Sequence, residues 1–287
     1  MGALTAFDLT AFKAAARAQW DQSAAGWNAH APQIRAWLRQ ATDTMLDMAG
    51  VEAGMQVLDL AAGAGDQTLD VARRVGAHGQ VLATDLSPVI LDLAQENARR
   101  AGLVNVRTLA ADGESLPVEP ARFDAAVCRL GLMLFPDPLS ALRELHRVLK
   151  PGAGICTVVF SGPQNNPCLG ILMSTALAHA GLAARDPYLP GTLMSLGRPG
   201  LLDTLFRQAG FQDVASTTLA APFRLPSVLH YLDFVRSSAS PIQQILGRLG
   251  AAAQQAAWSE MAAKLERFTA PDGWAGPNEL LLTAARR

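Results

Sequence analysis

The sequence predicts an α/β fold, a doubly wound arrangement around a parallel sheet, and three observations predict it. Short β-type runs alternate with helical segments from residue 55 to about 160, which is the pattern of βαβ units. The first three of those runs end at Asp59, Asp85 and Asp112, side by side at the carboxyl edge where open α/β sheets take ligands. Helical patterns lie outside this alternation, before residue 50 and again from 226 to 268, so helices are added to the sheet layer at both ends of the chain.

In order, TAFKAAARAQW and PQIRAWLRQATDTMLDMAG carry apolar residues at three- and four-residue spacing, the second closing at Gly50. The strands MQVLDLA, GQVLATD, NVRTLAA, FDAAVC and GICTVVF alternate with the helices QTLDVARRVG, SPVILDLAQENARRAG and PLSALRELHRVLK. Ser87 before Pro88 is an N-cap with proline in the first turn, and Gly102 is a helix stop. LKPGAG at 149 to 154 reads as a turn into the fifth strand. SGPQNNP is then a loop, and the apolar segment CLGILMSTALAHAGL leaves the βα rhythm. A helix at about 199 to 209, a strand through FQDVASTTLAAPFRL, the second helical region and a final strand NELLLTAARR complete the chain. These patterns divide it into an N-terminal helical cap (1–49), a core (50–225), a helical insertion (226–270) and a last core strand (271–287).

At 287 residues the chain is long enough to bury a core without disulfides or metal. With 50% hydrophobic and 17% charged residues it is compact rather than disordered. A net charge of -1 and the lack of any Lys/Arg block argue against nucleic acid as a partner. Cys128, Cys156 and Cys168 lack metal or redox spacing, which suits a reducing, cytoplasmic setting. No secretory leader pattern opens the chain and no uncharged apolar run reaches about 18 residues, so no membrane span is expected. Oligomeric state is left open, a homodimer included.

The most informative stretch is VLDLAAGAGDQT at 57 to 68: a strand carrying Asp59, the loop Gly63-Ala64-Gly65, then a helix. Glycines there let a backbone approach a ligand closely. Asp85 falls 20 residues beyond Gly65, where a carboxylate can take both hydroxyls of a ribose. Asp112-Gly113 ends the third strand beside it, so an adenosine would span the three strand ends. Thr68 stands where a dinucleotide fingerprint needs its third glycine, which disfavours a nicotinamide cofactor.

VLDLAAGAGDQT, ATDLS, AADGESLP, RFDAAVCRLGLMLFPDP and LRELHRVLKPGAG are similar, in order and spacing, to class I S-adenosylmethionine methyltransferases, especially the ubiquinone/menaquinone C-methyltransferase-like branch. The resemblance is strong over about residues 50 to 162. It implies a Rossmann-like, seven-stranded, mostly parallel sheet with an antiparallel last strand, and S-adenosyl-L-methionine as cofactor. It also implies that Asp59 and Gly63-Ala64-Gly65 face the methionine part, Asp85 and Leu86 the ribose, and Asp112 and Gly113 the adenine. Arg129 falls where the branch has a cofactor-contacting residue. This chain departs from the branch at Ala64, often Thr, and at Arg129, often smaller.

Methyl transfer from a sulfonium is an in-line displacement in which the protein mainly supplies alignment. Where an acceptor needs a base, histidine is the natural choice, and His30 and His230 rank first among the five histidines because both lie in the helical regions. The expected acceptor is small and largely apolar or aromatic, from Trp27, Trp258, Trp274, Met173 and Phe234 in those regions. Residues 1 to 48 and 226 to 268 are expected to form a mobile cap over the methyl group, with Trp27 controlling acceptor rather than cofactor affinity. Two other readings stay open at this stage: a cofactor-binding enzyme that catalyses another reaction, such as a cyclisation, and a non-catalytic partner-binding subunit.

Overall fold

The computed structural model describes residues 8–184, 186–238 and 240–287; residues 1–7 of the expected N-terminal cap lie outside them. Helices α1 (Leu9–Ala29) and α2 (Ala31–Ala49) come first. The sheet region follows as β1 (Gln56–Leu60), α3 (Asp66–Val75), β2 (Gln80–Asp85), α4 (Pro88–Arg100), β3 (Val106–Ala110), β4 (Phe123–Arg129), α5 (Pro138–Val148) and β5 (Leu149–Phe160). Beyond it lie α6 (Pro167–His179), α7 (Leu201–Gln208) and β6 (Gln212–Ala220). Next come β7 (Phe223–Leu225), α8 (Val228–Ser238), α9 (Ser240–Leu246), α10 (Ala251–Leu265), β8 (Thr269–Ala270), β9 (Gly273–Gly276) and β10 (Glu279–Arg286).

The main sheet has seven strands in the order β3-β2-β1-β4-β5-β10-β6. The first five are parallel, and β10 inserts antiparallel between β5 and β6. This is the sheet that the resemblance implied. The order reverses between β1 and β4, and there the crossover helices change faces and leave a crevice at the strand ends. The central strands are covered on both sides, so Val57, Leu58 and Leu60 of β1 are at most 1% exposed.

Four local expectations change. LKPGAG is part of β5: Phe123 pairs with Leu149 and Ala125 with Gly154, so the Pro-Gly-Ala stretch is a bulge inside the ladder, with Gly152 at φ 78. The single strand expected through 211–225 divides at Ala221-Pro222, where proline removes a ladder donor, and β7 leaves to join β8 and β9 in a second, three-stranded sheet. That sheet also takes 273–276 from the stretch expected as the final strand, which begins at Glu279. The first helical run extends to Ala29, beyond its apolar pattern.

α1 and α2 are separate helices because the chain turns at His30, with Pro32 in the first turn of α2. α2 packs on the sheet: Trp37 stacks on Phe223 at 4.7 Å and donates its indole N–H to the Ala221 carbonyl. α1 instead crosses from α4 to α8. Gly26 permits that crossing, since a Cβ there would lie 2.0 Å from the Ser237 carbonyl oxygen. The 228–265 helices pack against α6, α1 and the small sheet.

Candidate functional site

A cleft opens at the carboxyl ends of β1, β2, β3 and β4, beneath α1. The sheet contributes Leu60, Ala61, Asp85, Leu86, Asp112, Gly113 and Arg129 to its walls; α1 contributes Phe12, Lys13, Ala16, Trp20 and Trp27. Leu134, Phe135 and Pro136 close the side beyond β4.

Asp85 sits at the centre of the strand edge. Its Oδ2 accepts the Gly63 N–H and its Oδ1 the Ser87 N–H, each at 3.0 Å. Burial pushes its carboxyl above the usual range, against those backbone donors. One carboxylate therefore ties the glycine loop to the start of α4 while keeping lone pairs toward the cleft. Beside it, Asp112 closes its own turn by accepting the Glu114 N–H. A Cβ on Gly113 would lie 2.6 Å from the Phe135 ring, so only glycine lets that ring cover the third strand end.

The glycine loop lies just beyond the cleft lining. Gly63 and Gly65 are left-handed at φ 58 and 84, and a Cβ on Gly65 would lie 2.9 Å from that of Ala94. The loop is thus pressed against α4 below, while Trp27 covers it above, its Nε1 3.7 Å from a Cβ built on Gly63. Ala64 is buried against Ala24 and Ile90, where α1 and α4 pack, and does not reach the cleft. Its place explains the absence of a hydroxyl.

Two predicted cofactor residues are turned inward. Asp59 is fully buried and both its oxygens are engaged, by Gln67 Nε2 at 3.1 Å and Thr68 Oγ1 at 2.6 Å. Burial pushes its carboxyl up to about 6 despite those donors. It braces α3 against β1, and Thr68, the residue that breaks the dinucleotide pattern, is half of that brace. Arg129 lines the cleft, yet its guanidinium donates to Thr42 Oγ1 at 2.6 Å, Asp66 Oδ2 at 2.5 Å and Gln67 Oε1 at 2.9 Å. Asp66 directly follows Gly65, so this network fixes the outgoing end of the loop.

The histidines ranked as bases do not reach the cleft. His30 caps the α1–α2 junction and shares a hydrogen bond with Ser237 Oγ at 2.8 Å, its ring edge-on to Phe234. His230 is exposed near the start of α8 with Nδ1 on Ser227 Oγ. Of the five aromatic and methionine residues expected around an acceptor, only Trp27 lines the cleft. Trp274 is 1% exposed and stacks on Tyr231, Trp258 lies beneath Arg236, Met173 packs on the core through α6, and Phe234 backs Trp27 at 6.0 Å. The 226–268 helices therefore support α1 rather than wall the cleft.

Several lining residues were missed by sequence reasoning. Lys13 bridges Asp112 at 2.7 Å and Glu114 at 2.5 Å, and Asp21 accepts from Ser87 Oγ at 2.5 Å, so α1 is tied to the strand ends at two points. Ala61 and Leu130 line the cleft in the left-handed region at φ 55 and 58, a strain of about 1–3 kcal/mol each that collects at ligand sites. Gly131 allows the two ends to meet, since its Cβ would lie 2.4 Å from that of Ala61. The GLMLFP stretch carried the only usable signal, a glycine just past a strand end.

Among the described residues no group of His, Cys, Asp and Glu is arranged to hold a metal, and no helix is long and apolar enough to cross a membrane. The model of the ubiE/COQ5 methyltransferase family matches residues 32–222. The ubiquinone/menaquinone biosynthesis C-methyltransferase UbiE of Idiomarina loihiensis is 40% identical over 130 residues, 45% of this chain and 50% of that protein, so the match spans half of that relative's length. The protein of the same name from Escherichia coli O1:K1 is 34% identical over 185 residues, 61% of this chain and 74% of its own. In three dimensions the chain resembles the YcgJ protein from Bacillus subtilis, with a TM-score of 0.58 at 18% identity over 87% of this chain and 98% of the other. A likeness at that identity carries the fold.

Proposed function

The chain belongs to the ubiE/COQ5 methyltransferase family, an S-adenosylmethionine-dependent enzyme family, and from that premise we propose that it methylates a small, largely apolar or aromatic acceptor held beneath α1. The observation that carries the acceptor class is the lining of the cleft. Outside Asp85, Asp112, Lys13 and Arg129 its walls are aliphatic, aromatic or glycine, and those four side chains already have partners.

The residues present fit the cofactor. In this reading Asp85, with Leu86 beside it, takes the ribose hydroxyls, and Asp112 and Gly113 meet the adenine under the Phe135 ring. The loop Gly63-Ala64-Gly65 receives the methionine end, while Asp59 and Arg129 hold the loop from below rather than touch the ligand. The bound cofactor would supply the activated methyl group; the chain aligns the two reactants and keeps water out. No histidine lines the cleft, so no histidine base is at hand, and the acceptor would enter already ionised or pass its proton to water. The relatives are named as C-methyltransferases, which supports carbon as the acceptor atom. Nothing in the cleft favours a cyclisation or a non-catalytic role.

The protein is expected to bind S-adenosylmethionine and S-adenosylhomocysteine with micromolar affinity, about 8 kcal/mol, and to ignore NAD. Calorimetry with the three ligands checks this, and tight NAD binding without a response to either sulfur ligand would overturn the assignment. Release of S-adenosylhomocysteine on adding phenolic or quinol acceptors tests the transfer itself.

We retain the division into cap, core, insertion and last strand, with α1 as the moving part and the 226–270 insertion as its support. A displacement that competes with water profits from a closed site that reopens for product. Amide exchange in α1 should therefore be faster than in β1 and β4 in the free protein, and slow when S-adenosylhomocysteine binds. Equal protection of α1 and the central strands without ligand would make α1 a rigid wall.

A further inference from the structure

The five tryptophans differ in what their indole N–H groups do. Trp37 donates to the Ala221 carbonyl at 2.7 Å and Trp274 to the Leu265 carbonyl at 2.9 Å. Trp20, Trp27 and Trp258, all half-buried, have no hydrogen-bond partner for their N–H groups among the described residues, and of these Trp20 and Trp27 line the cleft. A buried indole ordinarily finds an acceptor, and of the two in the cleft it is Trp27 that stands over the glycine loop. Its Nε1 is the side-chain atom nearest the Gly63 Cβ position, at 3.7 Å. Its ring is held there from both sides, by Trp20 edge-on at 5.8 Å and by Phe234 tilted at 6.0 Å.

The loop beneath that nitrogen keeps only part of its backbone donors for an anion. The Gly63 N–H is spent on Asp85 and the Gly65 N–H on the Ala62 carbonyl. The Ala64 N–H and the first N–H groups of α3, which has no side-chain cap, remain as backbone donors, and a carboxylate resting on this loop can take a further hydrogen bond from α1, the element above it.

We propose that Trp27 is a cofactor-binding residue, its Nε1–H donating to the α-carboxylate of the methionine part of the cofactor. This rests on the cofactor reading above and deepens it. It also changes the expectation that Trp27 acts on the acceptor alone. The hydrogen bond would join α1 to the ligand directly, so cofactor binding would draw the cap onto the loop.

The test is Trp27→Phe, which keeps a ring between Trp20 and Phe234 and removes only the donor, with a thermal melt to verify folding. Calorimetry is run with S-adenosylhomocysteine and with 5′-methylthioadenosine, which shares the adenosine and thioether but has no amino acid. The substitution should weaken S-adenosylhomocysteine binding by about tenfold or more, the range for a hydrogen bond to a charged group, and leave 5′-methylthioadenosine within about twofold. Unchanged affinity for S-adenosylhomocysteine overturns the proposal, and equal losses for both ligands overturn it too by making Trp27 a packing residue. Wild-type protein that binds neither ligand overturns the cofactor reading itself. Should Trp27→Phe fail to fold, Trp27→His, which keeps a ring N–H, must bind S-adenosylhomocysteine more tightly than Trp27→Leu.

Discussion

Asp85→Ala is expected to weaken S-adenosylhomocysteine binding by about 2–3 kcal/mol, roughly 30- to 150-fold, the range for two hydrogen bonds to a charged acceptor. The carboxylate is half-buried at the cleft wall, and burial already raises its pKa. Two backbone N–H groups offset part of that cost, and two ribose hydroxyls would offset more of it. Because the same carboxylate ties Gly63 to Ser87, part of any loss could come from a loosened loop. A second ligand separates the two effects. An S-adenosylhomocysteine analogue lacking the ribose 2′-hydroxyl should bind wild-type protein more weakly than its parent, but bind Asp85→Ala as well as the parent does. If the variant folds and its affinity for the parent is unchanged, the ribose role is wrong. If the deoxy penalty persists in the variant, Asp85 acts only on the loop.

Asp85 was legible because its chemistry is local: a strand, its terminal acid and a following turn are adjacent in the chain, and spacing alone places the carboxylate on the ligand edge. The glycine loop and Asp112-Gly113 were legible for the same reason. Asp59 was misjudged because position along a strand does not say which way a side chain points. Gln67 and Thr68, in the first turn of α3, reach back and take both Asp59 oxygens. The helical regions were legible only in outline. Helical period marks a face to be buried without naming its partner, so Trp258, Trp274 and Trp27 looked equivalent. The second sheet, which claims Trp274 for β9, depends on pairings between residues 49 to 53 apart in the chain. Lys13 gave no signal, since a single lysine on an amphipathic helix is an ordinary solvated residue until Asp112 and Glu114 fold against it.

Arg129 leads to the largest expected change in stability. Its side chain is 3% exposed and that of Asp66 8%, with 2.5 Å between them, so neither charge has water to fall back on. Breaking such a pair by removing one partner costs about 3–5 kcal/mol, because the other is left buried and uncompensated. Arg129→Met and Asp66→Leu should each lower stability by that amount in urea denaturation. The double variant should recover most of the loss, since two buried apolar side chains of similar length carry no desolvation debt. Gln67 and Thr42 would lose a partner in both Arg129→Met and the double variant, which limits the recovery to the ionic part. Cofactor affinity separates structure from contact. If Arg129 acts by fixing Asp66 and the end of the glycine loop, the double variant regains stability and keeps S-adenosylhomocysteine affinity within a few-fold of wild type. If Arg129 touches the ligand, stability returns while affinity does not. Single variants costing under about 1 kcal/mol, or a double variant whose loss is the sum of the two, would show that the pair is solvated in solution and does not hold the loop.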